Sequence, residues 1–184
     1  MLKIILISLA AVLVVFAVVA AMQPEDFRVV RTATILAPPA VVFAQVNDLH
    51  QWQGWSPWAK MDPTAKNSYA GPKAGNGASF TWVGNSKVGE GTMTIVESHP
   101  GELVRLNLEF RKPFKGTNAA EFSFKGEGNQ TAVTWSMEGK KNFVAKAFGL
   151  FMNCDAIVGG QFEEGLANLK AIAEAAPRAN PTDS

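Results

Sequence analysis

The chain is poor in the residues that carry most redox and metal chemistry: among 184 residues it has one cysteine and two histidines. A single thiol, Cys154, excludes an internal disulfide and any cysteine-built metal cluster. His50 and His99 match no ligand spacing of the H-E-x-x-H kind, so no metal is expected. Charge is also scarce. Charged residues make up 18% of the chain and the net charge is +1, so no basic stripe for nucleic acid is present. No organic cofactor is expected either. Gly75-x-Gly77 leads into a strand and lacks the helix N-terminus that lets such loops cradle phosphate. There is no internal repeat. Apolar residues are plentiful at 47%, and the length suits one domain with a single substantial core.

Part of the apolar content sits at the start. Ile4 to Met22 carries no charge, with Lys3 before it and Glu25-Asp26 after it. As a helix this run is roughly 28 Å long, close to the thickness of a bilayer core. It is longer than the apolar region of a signal peptide, about 7–15 residues, which argues for an uncleaved anchor over residues 1–23. Ala20-Ala21 leaves cleavage and export as the alternative. No cysteine follows the run to take a lipid. Lys3 and the amino terminus favour a single pass with the N-terminus inside and the domain outside the cytoplasm. Residues 24–176 then form one domain, and the polar stretch 177–184 is expected to be a disordered tail.

Most of the domain reads as short strands and turns. Phe27–Ile35 is a strand stopped by Pro38-Pro39, and Pro39 opens a short helix that buries Val42, Phe43 and Val46. Asp48, with Gln51 three residues on, caps a second helical turn. Trp52, Trp55 and Trp58 follow at every third position and so share one side of a tight turn. Further strands are expected over 78–83, 88–98, 103–110, 117–125 and 131–138, joined by polar turns. The pattern is clearest where Val104, Leu106, Leu108 and Phe110 alternate with Arg105, Asn107 and Glu109. Such a succession makes an antiparallel meander. Ala145 to Ala175 then reads as one helix with Phe148, Phe151, Val158, Phe162, Leu166, Leu169 and Ala173 on one face. It is the only long element able to cover the sheet, which makes the class α+β.

These residues resemble a known superfamily. Pro38-Pro39 before Val42-Phe43, the run Trp52-Gln53-Gly54-Trp55-Ser56-Pro57-Trp58, Asp62-Pro63, Gly71-Pro72, Gly89-Glu90-Gly91 and Phe162-Glu163-Glu164-Gly165-Leu166 occur in the order found in SRPBCC, or START-like, domains. The polyketide cyclase/dehydrase branch is the nearest in look, and the resemblance spans about Phe27 to Ala175. It implies a helix-grip fold: a curved antiparallel sheet wrapped around the C-terminal helix, with an apolar cavity between them. Members include lipid carriers, hormone receptors and aromatic polyketide cyclases, so the fold alone does not choose among functions.

Two residues are candidates for chemistry. On one continuous helix Asp155 falls within the apolar face, where burial would raise its pKa and suit it to acid or base catalysis. If the helix instead begins near Asn153, Asp155 serves its first turn. His50, beside the tryptophans, is a weaker candidate with a surface or capping role as its alternative. Candidate ligand-lining residues are Trp52, Trp55, Trp58, Trp82, Met93, Leu106 and Leu108. Phe122, Phe124, Trp135, Met137, Phe151 and Phe162 complete that set, and any of them can equally be plain core. Gly159, Gly160 and Gly165 leave room either for a ligand or for close packing of the helix on the sheet.

Three functions fit these readings. One is a membrane-tethered domain binding an apolar small molecule or lipid between sheet and helix. The second is a polyketide cyclase/dehydrase-like enzyme using Asp155. The third is a scaffold for a protein partner, with its cavity collapsed.

Overall fold

The computed structural model describes residues 1–176; the expected tail lies outside the described residues. The chain opens with helix α1 (Leu2–Ala21), followed by strand β1 (Asp26–Ile35). Three short helices come next: α2 (Pro39–Asn47), α3 (Trp52–Trp55) and α4 (Pro57–Met61). A six-strand run follows, with β2 (Lys66–Ala70), β3 (Ser79–Val83), β4 (Glu90–His99), β5 (Leu103–Lys112), β6 (Gly116–Glu127) and β7 (Gln130–Lys140). Helices α5 (Phe143–Gly149) and α6 (Cys154–Ala175) end the described chain.

The strands form one antiparallel sheet in the order β1-β7-β6-β5-β4-β3-β2. Consecutive strands from β2 to β7 are neighbours, and β1 closes the far side by pairing with β7. The α2–α4 excursion carries the chain from one edge of the sheet to the other. Register shifts at Glu90/Gly91 and Ile95/Glu97 interrupt the β4–β5 ladder, and such bulges increase local twist and help a sheet curve.

Alternation along the strands decides which side is covered. Val104 and Leu106 of β5, Phe122 and Phe124 of β6, and Val133, Trp135 and Met137 of β7 are buried on one face. Phe162, Leu166, Leu169 and Ala173 of α6 recur at helical spacing and are buried against that face. The helix-grip architecture expected from the sequence is the one observed.

The long helix differs from expectation. The stretch 145–175 is two helices, not one. Asn142 caps α5 by accepting from the Ala145 N–H at 2.8 Å, and Asn153 caps α6 by accepting from the Ala156 N–H at 3.1 Å. Between them the chain bends at Leu150–Asn153. Phe148 and Phe151, assigned from periodicity to the buried face, are therefore exposed, and Phe151 cannot line the space between sheet and helix. Strand β2 is an element not anticipated from the sequence. All five of its residues are exposed, so it carries no apolar alternation to signal a strand.

Helix α1 stands outside the core. It has a mean hydropathy of 3.2, is long and apolar enough to cross a membrane, and contributes only Ala20 to the buried set. Its neighbour in the domain is α5.

Candidate functional site

The residues expected to line a hollow between sheet and helix pack on one another. Trp135 sits between two rings: Phe162 at 4.0 Å between centroids with 6° between planes, and Phe122 at 4.6 Å. Trp52 and Trp55 meet at 4.6 Å, and both approach Trp135 and Phe122 edge-on. Trp58 approaches Trp135 and Phe162 in the same way, from a half-buried position. Met93, Leu106, Phe124 and Met137 are buried, while Trp82 and Leu108 are partly so. The indole N–H of Trp52 donates to the Val46 carbonyl at 2.9 Å and that of Trp55 to the Gln45 carbonyl at 3.2 Å, which locks α3 onto α2. Trp135 Nε1 is buried without a hydrogen-bond partner.

One glycine of α6 belongs to this packing. A Cβ on Gly165 would lie 2.8 Å from Trp135 Cζ3 and 3.2 Å from Pro57 Cδ, so the helix rests on the indole there. A Cβ on Gly159 would collide with the Arg31 guanidinium, while one on Gly160 would meet nothing within 4 Å.

Open volume lies elsewhere. A cavity of about 500 Å³ lies under the bend between α5 and α6, where β1 begins. Phe27, Val29, Leu150, Phe151 and Met152 supply its apolar surface, and Arg28, Lys141, Asn153 and Asp155 its polar groups. Phe151 and Asp155 are the only sequence-predicted site residues on its wall. Arg28 and Lys141 have no ion-pair partner among the described residues. Sequence reading missed this cavity because its walls are far apart in the chain. The pairing of β1 with β7 brings Arg28 beside the end of β7 and so near Lys141.

Asp155 is not the buried acid that one continuous helix implied; the alternative, a helix starting near Asn153 with Asp155 in its first turn, is the one observed. It sits in the first turn of α6 with its side chain 57% exposed, and its Oδ2 lies 3.0 Å from Arg31 Nη2. The hydrogen bond from Arg31 is the largest influence on it and holds its carboxyl below the usual carboxylate range, the opposite of the expected shift. Arg31 also donates to Glu163 Oε1 at 2.6 Å, so one guanidinium joins β1 to two turns of α6.

His50 lines a second cavity, of about 320 Å³, with Leu49, Tyr69 and Lys73. Its ring stacks on Tyr69 at 4.0 Å, and its Nδ1 lies 2.9 Å from Asp48 Oδ1. Burial raises the Asp48 pKa, but hydrogen bonds from the His50 backbone and ring outweigh it and lower the carboxyl overall. Asp155 and His50 thus stand at two separate cavities and form no joint constellation. Among the described residues no group of three or more His, Cys, Asp or Glu is gathered as a metal site.

Known folds agree with this geometry. The structure resembles the Zhui aromatase/cyclase of Streptomyces sp. R1128, with a TM-score of 0.63 at 16% identity over 84% of this chain and 98% of that one. It also resembles the Aha1 dimer of Colwellia psychrerythraea, with a TM-score of 0.59 at 16% identity over 83% of this chain and 99% of that one. Protein CV1439 of Chromobacterium violaceum gives a TM-score of 0.59 at 16% identity, over 85% of this chain and 100% of that one. At such identities the likeness is one of fold. No curated protein matches the sequence. The family described as "Polyketide cyclase / dehydrase and lipid transport" matches residues 26–174, nearly the whole domain after α1. The chain therefore belongs to that SRPBCC-type family.

Proposed function

We propose that this protein is a membrane-tethered domain that holds an apolar small molecule or a lipid in the cavity under the α5–α6 bend. The observation that carries this reading is the cavity, whose volume of about 500 Å³ suits a small-molecule ligand. Phe27, Val29, Leu150 and Met152 offer an apolar wall that takes hydrocarbon out of water. Arg28 and Lys141 offer two unpaired cations for an acidic end of the ligand. Helix α1 supplies the tether, and the family's description includes lipid transport. The site differs from the one read from the sequence, where the aromatic core now occupies the intended hollow.

An enzymatic role for Asp155 has one supporting feature, its place on the cavity wall. The Arg31 pair counts against it, because it keeps the carboxylate ionised and weakens it as a base.

The test uses the chain without residues 1–23, since α1 adds only Ala20 to the buried set and the family match begins at residue 26. Native mass spectrometry of this domain is expected to retain a lipid-sized or smaller apolar adduct. Gly149 lines the cavity and an added Cβ there meets nothing within 4 Å, so Gly149→Trp is the variant chosen to occupy the space. That variant is expected to lose the adduct. A domain that carries no adduct and ignores an apolar fluorescent probe would turn the reading toward a scaffold with a filled interior.

A further inference from the structure

Helix α5 displays its apolar side chains outward. Phe143, Val144, Phe148, Phe151 and Met152 are all exposed, Phe151 by 78%. On a helical projection Phe143, Val144, Ala147, Phe148 and Phe151 fall within one arc, and Lys146 lies opposite. Phe114, from the β5–β6 turn, adds to the patch by meeting Phe148 at 6.4 Å between ring centroids. A contiguous apolar surface of this kind marks an interaction site.

Its neighbour identifies the occupant. Lys146 is buried and reaches Glu25 Oε1 at 3.1 Å and the Ala21 carbonyl at 3.5 Å, at the C-terminal end of α1. Phe151 stacks on Phe16 at 5.9 Å, further back along α1. The α5 segment therefore runs antiparallel to α1. From Ala21 back to Phe16 is five residues, about 8 Å along a helix axis. Where α1 crosses a bilayer, the bend at 150–153 sits at the depth of Phe16, inside the apolar run.

The backbone of that bend suits such a place. The N–H groups of Leu150, Phe151 and Met152 donate to the carbonyls of Ala147, Phe148 and Phe148, at 3.3, 3.0 and 3.0 Å. The donors from 150 to 152 are thus paired within the chain, which lowers the cost of bringing the bend against lipid. Lys115, next to Phe114, is exposed and has no ion-pair partner among the described residues, like Arg28 and Lys141 at the cavity. Basic residues beside an apolar segment draw it to anionic lipid.

We propose that α5 and the following bend insert beside α1 into the same leaflet as a short wedge, so that the 500 Å³ cavity opens on lipid. The inference rests on the tethered reading and adds a second, separate contact with the bilayer. It also gives the ligand its source, the lipid of that leaflet.

The test uses the full chain with Cys154→Ala, carrying one nitroxide at a time, in vesicles of phosphatidylcholine and phosphatidylglycerol. Labels replace Val12 in α1, Val144, Phe148 and Phe151 in the wedge, and Ser86 in the exposed β3–β4 turn. All these positions except Val12 lie on the domain surface, so labelling leaves the core intact, and circular dichroism checks each protein. Collisions with oxygen and with a water-soluble nickel chelate report depth. The expected order is Val12 and Phe151 in lipid, Phe148 close to Phe151, Val144 shallower, and Ser86 in water. Labels at 148 and 151 as open to the chelate as Ser86, with Val12 still in lipid, would overturn the wedge and leave the tether standing. Val12 in water would overturn both. Dipolar broadening between labels at 148 or 151, with both reagents excluded, would assign the face to a second copy of the chain and overturn the lipid contact.

Discussion

Arg31 Nη2 lies 3.0 Å from Asp155 Oδ2, and this pair fastens the edge strand β1 to the first turn of α6. It also explains Gly159, one turn further along α6, because a Cβ there would stand 1.9 Å from the same guanidinium nitrogen.

The pair has a pH signature. The Asp155 pKa is lowered in the folded protein, chiefly by the hydrogen bond from Arg31. Its contribution to stability is therefore complete above the unfolded value, about 3.9. It is lost as pH falls through the lower folded value. In urea unfolding between pH 5 and pH 2, Asp155→Asn is expected to flatten the acid limb of the stability profile. An unchanged limb would show that the pair does not hold in solution.

The glycines of α6 are expected to respond in opposite directions. Gly160→Ala adds a methyl where nothing stands within 4 Å and should stabilise by about 0.5–1 kcal/mol through helix propensity. Gly165→Ala drives a Cβ against Trp135 and Pro57 and should destabilise by about 1–2 kcal/mol, overpacking outweighing propensity. Chemical denaturation midpoints of the two variants should move apart. Equal shifts would contradict the close approach of α6 to the indole.

Phe162 covers one face of the Trp135 indole in the aromatic stack and is 1% exposed. Phe162→Ala should cost about 3–5 kcal/mol, from lost burial and the cavity left against Trp135. Tryptophan emission should shift to the red as Trp135 gains contact with water. A cost under about 1 kcal/mol would mean that the stack relaxes into the space and contributes little.

Lys146 couples α5 to α1 without entering the domain core. The hydrogen bond from Lys146 is the main reason the Glu25 carboxyl is lowered. Lys146→Ala should leave the domain's unfolding midpoint nearly unchanged while hydrogen exchange quickens in residues 143–152. A large fall in the midpoint would mean that α1 and the domain fold as one unit.

The sheet and the covering helix were legible because one face of each is buried. Val104 and Leu106 alternate with exposed-side neighbours, and Phe162, Leu166 and Leu169 repeat at helical spacing for the same reason. One strand escaped. Strand β2 is held by pairing with β3 alone, so its residues carry no burial signal. The α5–α6 bend was legible in part: a helix start near Asn153, with Asp155 in its first turn, is the alternative the structure bears out. But Phe148 and Phe151 continue the apolar period of α6, and periodicity does not reveal which surface an apolar residue meets. Asn153 was the clue behind that alternative, and Asn142, the cap of α5, was the one left unread. The cavity wall was harder still. Arg28 and Lys141 become neighbours only through the β1–β7 register.

The sheet order leaves β2 as an outer rim with one row of unpaired backbone groups. That rim is five residues long, polar, and starts at Lys66, so it offers a foreign strand little to zip onto. Copies crowded together at high local density can therefore lie side by side without polymerising through the β2 rim.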